Sequence, residues 1–244
     1  MRFALQWLVR LLGVLLVGPA LALVTEGGRG PWWAASREPV GLAPDPAATP
    51  EAVVQVYGAR AWGWRGAFGI HTWIAVKPRG AAVWTVHEVI GWRLHHGGSA
   101  VVTSHRPPDA RWFGAAPEVL AELRGEAAAA AIPAIEAAVA AYPWPDRYRL
   151  WPGPNSNTFT AWVARRVPAL RLDLPPTAVG KDYLGARVLA PAVSGTGWQL
   201  SLGGLLGLTL AREEGVEINL LGLAFGLDPA DLALRLPGIG RVGP

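Results

Sequence analysis

The order of residue types along the chain constrains the fold more than any other feature of this sequence. Segment 52–94 consists of runs rich in β-branched and aromatic residues, interrupted by Arg79 and Gly80. This composition is typical of strands, and the central pair predicts a tight turn and therefore a β-hairpin. Segment 117–142 then changes to Ala, Leu and Glu, the best helix formers, and opens with Pro at a typical first helical position.

Strands followed by helices predict an α+β fold, an antiparallel sheet with helices packed on one side. Within the Ala-rich segment, Pro133 predicts a break or a kink. A shorter helix is predicted to begin near Ser156 and to end before Pro168. The pattern therefore places one hydroxyl residue at the start of a helix.

The C-terminal residues favour further strands. In segment 216–220, Val, Ile and Leu alternate with Glu217 and Asn219, and a charged turn with a glycine precedes them. This pattern predicts a β-hairpin. Segment 198–210 is uncharged but too short and too glycine-rich for a spanning helix. It indicates either buried strands or a hairpin that faces a membrane.

The N-terminus carries a targeting signal. Arg2 and Arg10 precede an uncharged apolar run that ends in an Ala-x-Ala pattern. This arrangement is typical of a secretory signal peptide, and a retained membrane anchor fits it as well. Either interpretation predicts a protein of the cell envelope, exported or membrane-anchored, with the membrane as a partner of the N-terminal segment.

Composition divides the chain into four parts. Residues 1–24 are the signal peptide or anchor, and 25–56 form a linker rich in Gly, Pro and Ala. Residues 57–192 form the α+β core, and 193–244 form a β-hairpin-rich extension.

Charge and cysteine content exclude several classes of protein. The net charge is +4, but the arginines are scattered among Trp and Pro, so we expect no nucleic-acid partner. The absence of Cys excludes disulfides, thiolate metal sites and a Cys nucleophile. His95, His96 and His105 lack the spacing of metal ligands, so we predict neither a metal nor a cofactor.

Few side chains in this sequence could take part directly in catalysis. His71 lies in a predicted strand, and pairing about the Arg79-Gly80 turn puts it opposite Glu88, whose carboxylate would orient the imidazole. A change of one residue in the loop would instead bring His87 opposite His71. Ser156 starts the short helix, where it could be a nucleophile or, like Asn155, an N-cap.

Four further residues are candidates for binding. They flank Ser156 in the chain or line the aromatic loop before it, and they are Asn155, Asn157, Trp144 and Trp151. The two tryptophans form either a rigid wall of that loop or a surface on which a ligand stacks.

A strand-borne His71 followed by the helix-opening segment Asn155-Ser156-Asn157-Thr158-Phe159 resembles the circularly permuted papain-like hydrolases, the group related to NlpC and lecithin:retinol acyltransferase. In that group a helix-opening Cys is the nucleophile and the strand His is its base. The resemblance implies a permuted papain-like core in which Ser156 holds the Cys position. For a thiol, the helix terminus together with a His suffices to make a nucleophile, whereas a hydroxyl must also transfer its proton to a base during attack.

A more specific resemblance covers most of the chain. The segments HTWIAVK, VIGW, GPNSNTF, SGTGWQLSL and LPGIGR together resemble the bacterial family DUF3750. This second resemblance implies relatedness but no activity. The papain-like resemblance, together with the export signal, leads us to expect an envelope hydrolase or acyl/amide transferase that acts on amide or ester bonds of peptide, cell wall or lipid. The alternatives are an inactive envelope binding module and a structural membrane-associated protein.

Overall fold

The computed structural model describes residues 2–26 and 31–243. The described helices are α1 (Arg2–Leu15), α2 (Val17–Glu26), α3 (Gly125–Ala140) and α4 (Ser156–Arg166). The strands of a first sheet are β1 (Val53–Arg60), β2 (Ile70–Lys77), β3 (Thr85–Val89), β4 (Val101–Ser104) and β5 (Glu118–Arg124). Those of a second sheet are β6 (Leu189–Pro191), β7 (Gly197–Leu202), β8 (Leu206–Ala211), β9 (Gly215–Leu220), β10 (Leu223–Asp228), β11 (Ala233–Leu236) and β12 (Gly240–Val242).

The first sheet confirms the predicted α+β class. Its five strands are antiparallel in the order β4-β3-β2-β1-β5, with α3 and α4 packed on one face. Alternate residues of β1 and β2 pack under these helices, and this core includes Val54, Val56, Ile74, Ile135 and Phe159. The opposite face is covered by loops around Trp112 and Ala115, which pack on Tyr57 and Trp73.

The connection between β2 and β3 is longer than the sequence predicts. Observed pairs such as Ile74 with His87 shift the register by two residues from the predicted pairing. The reason is that segment 78–84 forms an open loop around Gly80 instead of a two-residue turn. A shift of two residues keeps every side chain on its face, so His71 and Glu88 still share one.

The Ala-rich segment contains both a strand and a helix. Residues Glu118–Arg124 form the edge strand β5 beside β1, and the helix starts only at Gly125, so the predicted helix start at Pro117 is wrong. The helix also continues through Pro133 to Ala140. Tertiary contacts outweigh the local sequence preference in both places: pairing with β1 makes 118–124 a strand, and packing of the apolar side of α3 on the sheet keeps the helix intact at Pro133.

The second sheet is an antiparallel meander of seven strands that begins at Leu189, close to the predicted boundary at 193. Its inward face is polar, and buried ion pairs attach it to the core. Glu217 accepts from Lys181 Nζ at 2.7 Å and from Arg235 Nε at 2.8 Å, and Arg235 also binds Asp173 at 2.6 Å. The extension and the core therefore share a buried ionic cluster, whose pairing keeps Glu217 charged although burial alone would raise its pKa.

The N-terminal helices lie beside this second sheet. Gly18 and Pro19 of α2 approach Pro237 and Gly238, in the turn between β11 and β12, and α2 also contacts the short 3-10 helix Gly63–Ala67. Within the described ranges, none of the helices combines the length and apolar character needed to cross a bilayer. β1 starts at Val53, so the predicted linker 25–56 overlaps the first sheet.

Candidate functional site

A cavity of about 910 Å³ opens where the first sheet, the start of α4 and the β9–β10 turn meet. His71 and Ser156 both line it, as do Asn155 and Asn157. Three basic residues, Arg37, Arg65 and His95, line it together with several aliphatic residues and glycines. Nine aromatic residues complete the wall: Trp32, Trp62, Trp64, Phe68, Trp92, Trp112, Phe113, Tyr148 and Trp151. A strand histidine and a helix-opening serine thus both line this one cavity.

Asn155 is the N-cap of α4, so Ser156 occupies the first helical position. The Asn155 Oδ1 accepts hydrogen bonds from the backbone N–H groups of Asn157 (3.0 Å) and Thr158 (3.1 Å). The Thr158 Oγ1 in return accepts from the Asn155 backbone N–H at 3.1 Å, which completes a capping box. Of the two caps considered in the sequence, the structure selects Asn155.

The two hydrogen-bond donors of Ser156, its hydroxyl and its backbone N–H, are both available, whereas its carbonyl accepts from Thr72 Oγ1 at 3.4 Å. The residue is 4% exposed. Within residues 2–26 and 31–243, neither its hydroxyl nor its backbone N–H forms a hydrogen bond with another protein group. The start of an 11-residue helix carries partial positive charge, which favours an anion there. A hydroxyl and a free N–H donor therefore lie together on the cavity wall.

His71 is the centre of a buried chain of polar groups. Its Nε2 lies 3.0 Å from Glu88 Oε2, and Arg106 donates to the other oxygen, Oε1, at 3.2 Å. Arg106 also lies over the Trp73 ring at 5.3 Å. The carboxylate is thus held from two sides. An Nε2–H that donates to Glu88 leaves Nδ1 of His71 unprotonated.

The pKa directions agree with a neutral imidazole and an ionised carboxylate. Burial lowers the pKa of His71, and the nearby Arg106 lowers it further, although Glu88 acts in the opposite direction. Burial alone would raise the pKa of Glu88, but the hydrogen bonds and charges of His71 and Arg106 outweigh it and the pKa is lowered. A neutral histidine oriented by a carboxylate is the arrangement of a general base.

The position of His71 relative to Ser156 follows from strand alternation. Thr72 faces α4, where its hydroxyl donates to Asn157 Oδ1 at 3.0 Å. His71 therefore faces the other side of the sheet, where its ring stacks on Trp112 with centroids 3.7 Å apart. The two candidates reach the cavity from opposite faces at the end of β2, and no hydrogen bond joins them in the described part of the chain.

The other predicted residues divide between the cavity and its surroundings. Asn157 holds the helix start to the sheet, because its Nδ2 donates to Ile70 O (3.0 Å) and Val179 O (2.8 Å). Trp151 lines the cavity and donates from Nε1 to Leu221 O at 2.9 Å. Trp144 packs against aromatic residues outside the cavity lining. His87 pairs with Thr103 Oγ1 at 3.0 Å and makes no contact with His71 that would orient it.

Two residues of the site were missed in the sequence. Arg106 and Trp112 both lie in the loop between β4 and β5, which carries no periodic pattern. Only the fold brings this loop across the face of β2 that bears His71. In the described residues, no group of three or more His, Asp or Glu side chains is placed to hold a metal ion.

The matched region of a family profile contains every predicted site residue. The profile is that of "Protein of unknown function (DUF3750)", and it matches residues 51–183, more than half of the chain. The chain belongs to the DUF3750 family. No curated protein and no solved structure shows significant similarity to it. In this DUF3750 protein, the match spans the first sheet, α3 and α4, and ends before the second sheet.

Proposed function

We propose that this DUF3750 protein is an envelope hydrolase or acyl/amide transferase that uses Ser156 as nucleophile and His71 as base. The observation that carries the proposal is that the hydrogen-bonded chain Arg106–Glu88–His71 ends at the same cavity that is lined by an unbonded serine at a helix start. The order of these groups resembles that of the permuted papain-like hydrolases, with serine at the position of the cysteine.

The reaction follows from the available atoms. Ser156 Oγ attacks the carbonyl carbon of an ester or amide, and its proton passes to Nδ1 of His71. Glu88 holds the ring and stabilises the imidazolium that forms. The proton then moves to the leaving alcohol or amine, and water or a second acceptor resolves the acyl-enzyme. No hydrogen bond joins Ser156 to His71 beforehand, and such bonds commonly tighten only once substrate is bound.

The oxyanion would be held by the backbone N–H of Ser156 itself. The next two N–H groups of α4 are already occupied by the Asn155 side chain, so the helix offers one free donor instead of several. A donor at this point acts together with the positive end of the helix.

The substrate is inferred from the cavity wall and from the N-terminal segment. Nine aromatic residues around the cavity favour an apolar acyl or aromatic group beside the scissile bond. The apolar N-terminal helices support an exported or membrane-anchored protein with the membrane as partner. Both features favour an amide or ester of cell-wall, peptide or lipid origin.

The experiment is hydrolysis of a p-nitrophenyl acyl ester by the full chain. Ser156→Ala and His71→Gln should each lower kcat/KM by about a thousandfold or more. Ser104→Ala is the matched control, because the Ser104 hydroxyl also has no hydrogen-bond partner among the described residues but lies outside the cavity. Activity that is lost equally in the control, or kept in Ser156→Ala, would refute the proposal.

A second candidate is a binding module that keeps the cavity without the reaction. It is favoured by one observation, the lack of a hydrogen bond between Ser156 and His71 across a cavity with aromatic walls. An ether analogue of the test ester, which cannot be cleaved, should then bind equally to His71→Gln and the unsubstituted protein. Trp151→Ala should weaken that binding, as followed by tryptophan fluorescence. Ester turnover that depends on both Ser156 and His71 would exclude this candidate.

A further inference from the structure

The second sheet has its polar residues inside and its apolar residues outside. Glu217, Asn219 and Arg235 point inward and are buried, as the ionic cluster requires. Their neighbours Val216, Ile218 and Leu234 point outward and are exposed. The same holds in β7 and β8, where Trp198 is 61% and Leu210 is 51% exposed. The alternation seen in the sequence is therefore inverted relative to an ordinary half-buried sheet.

Strand register aligns the outward residues into rows across the sheet. One row joins Trp198, Leu210, Val216, Leu227 and Leu234 through successive paired positions. A second row joins Leu200, Leu208, Ile218 and Phe225, and a third lies beside it. Each residue is directly opposite the next, so the apolar surface is continuous.

The size of this outer face is that of an interaction surface. The first row continues to Pro191 and Val242 and crosses all seven strands, a width of ~29 Å at ~4.8 Å per strand, while the other two rows cross five and four strands. With roughly 5 Å of height per row, the apolar area of roughly 350 Å² lies among the largest apolar patches of soluble monomers, about 300–600 Å², and such patches commonly have a function.

We propose that the outer face of the second sheet binds the surface of a lipid bilayer. Sheet hydrogen bonding satisfies the backbone groups of the inner strands, so the face can enter the apolar boundary of a membrane without stranding polar groups. Trp198 lies in this face, and tryptophan is one of the two side chains enriched at membrane interfaces.

Two neighbouring features favour a bilayer over a second copy of the chain. The apolar helix α2 contacts the β11–β12 turn of the same sheet, and Leu21 and Val24 of that helix are exposed. The apolar surface therefore extends beyond the sheet. The chain has a net charge of +4, with exposed arginines at 187 and 212 beside β6 and β8, which complements anionic headgroups.

The absence of cysteine in the sequence allows a direct test with a single introduced thiol. Leu208→Cys, in the centre of the outer face, and Val83→Cys, exposed on the loop between β2 and β3, would each carry a polarity-sensitive fluorophore. The full chain is mixed with vesicles of equal parts phosphatidylcholine and phosphatidylglycerol. The emission maximum of the label at 208 should shift to shorter wavelength, and brominated lipid should quench that emission. The emission of the label at 83 should show neither change.

A second variant measures the contribution of the face to binding. Leu200→Glu, Leu208→Glu and Ile218→Glu combined should lower the vesicle partition coefficient by about a thousandfold, because each apolar side chain that enters the membrane contributes roughly a factor of ten. Val83→Glu is the matched control and should leave partitioning unchanged. If the triple variant does not fold, the fluorophore experiment decides alone.

Two results would overturn the proposal. Vesicle binding without a response of the label at 208 would mean that the N-terminal helices bind alone. The other result is a dimer, detected by sedimentation without vesicles, in which the label at 208 is buried. If the triple variant abolishes this dimer, the outer face binds a second copy of the chain.

Discussion

Replacing Asn155 separates the structural role of the α4 start from its chemical role. Its Oδ1 caps two backbone N–H groups, and its Nδ2 donates to Leu150 O and Val179 O, both at 3.0 Å. Loss of the cap costs about 1 kcal/mol, and the unsatisfied Leu150 carbonyl adds about 1 to 2 kcal/mol. Val179 O keeps its bond from Asn157, so it adds little. We expect Asn155→Ala to lower the free energy of unfolding by about 2 to 3 kcal/mol.

Ser156→Ala is the comparison, measured by the same urea unfolding. The Ser156 hydroxyl has no protein partner within the described ranges, so its removal should change the free energy of unfolding by less than about 0.5 kcal/mol. Asn155→Asp keeps the acceptor but loses the donors, and should fall between the two. A Ser156→Ala protein as destabilised as Asn155→Ala would refute the reasoning, because the hydroxyl would then hold the helix.

Three further predictions concern reactivity, pH and the second sheet. Ser156→Cys introduces a single thiol into a chain without cysteine and places it at a helix start. The pKa of this thiol should therefore lie below the usual ~8.5, as measured by the pH dependence of iodoacetamide alkylation. Burial lowers the pKa of His71, so on acidification the imidazole is protonated at a higher pH in the unfolded chain than in the folded protein. Protonation therefore favours the unfolded chain, and the folded protein loses stability as pH falls below ~6.5. The free energy of unfolding of His71→Gln should therefore fall less between pH ~7 and ~5, and an identical fall would contradict this. Arg235→Leu removes one of the two cations that pair with buried Glu217, so it should lower the free energy of unfolding in urea by about 3 kcal/mol or more. Arg79→Ala, which breaks an exposed pair with Glu126, should cost less than about 1 kcal/mol, and equal effects would contradict the contrast.

The sequence predicts best where a local rule determines the structure. The start of α4 follows from capping chemistry within a few residues, although only the structure distinguishes Asn155 from Ser156 as the cap. The contact of His71 with Glu88 survives a register error of two residues, because strand side chains alternate with a period of two.

Non-local features were not predictable from the pattern. β5 is rich in helix-forming residues but becomes a strand because β1 offers an unpaired edge. The alternation in 216–220 predicts a strand but not which side faces the core. The partners of Glu217, which are Lys181 and Arg235, decide that orientation. Arg106 and Trp112 reach His71 only through the path of a loop.

The most direct test of the account is intact-protein mass spectrometry after reaction with a serine-directed fluorophosphonate. If Ser156 is the nucleophile, the full chain should carry one adduct, located at Ser156 and absent from Ser156→Ala. Labelling should be much slower in His71→Gln and unchanged in Ser104→Ala. Labelling that persists in Ser156→Ala, or a protein that never reacts while its fold is intact, would contradict the assignment of Ser156 as a nucleophile.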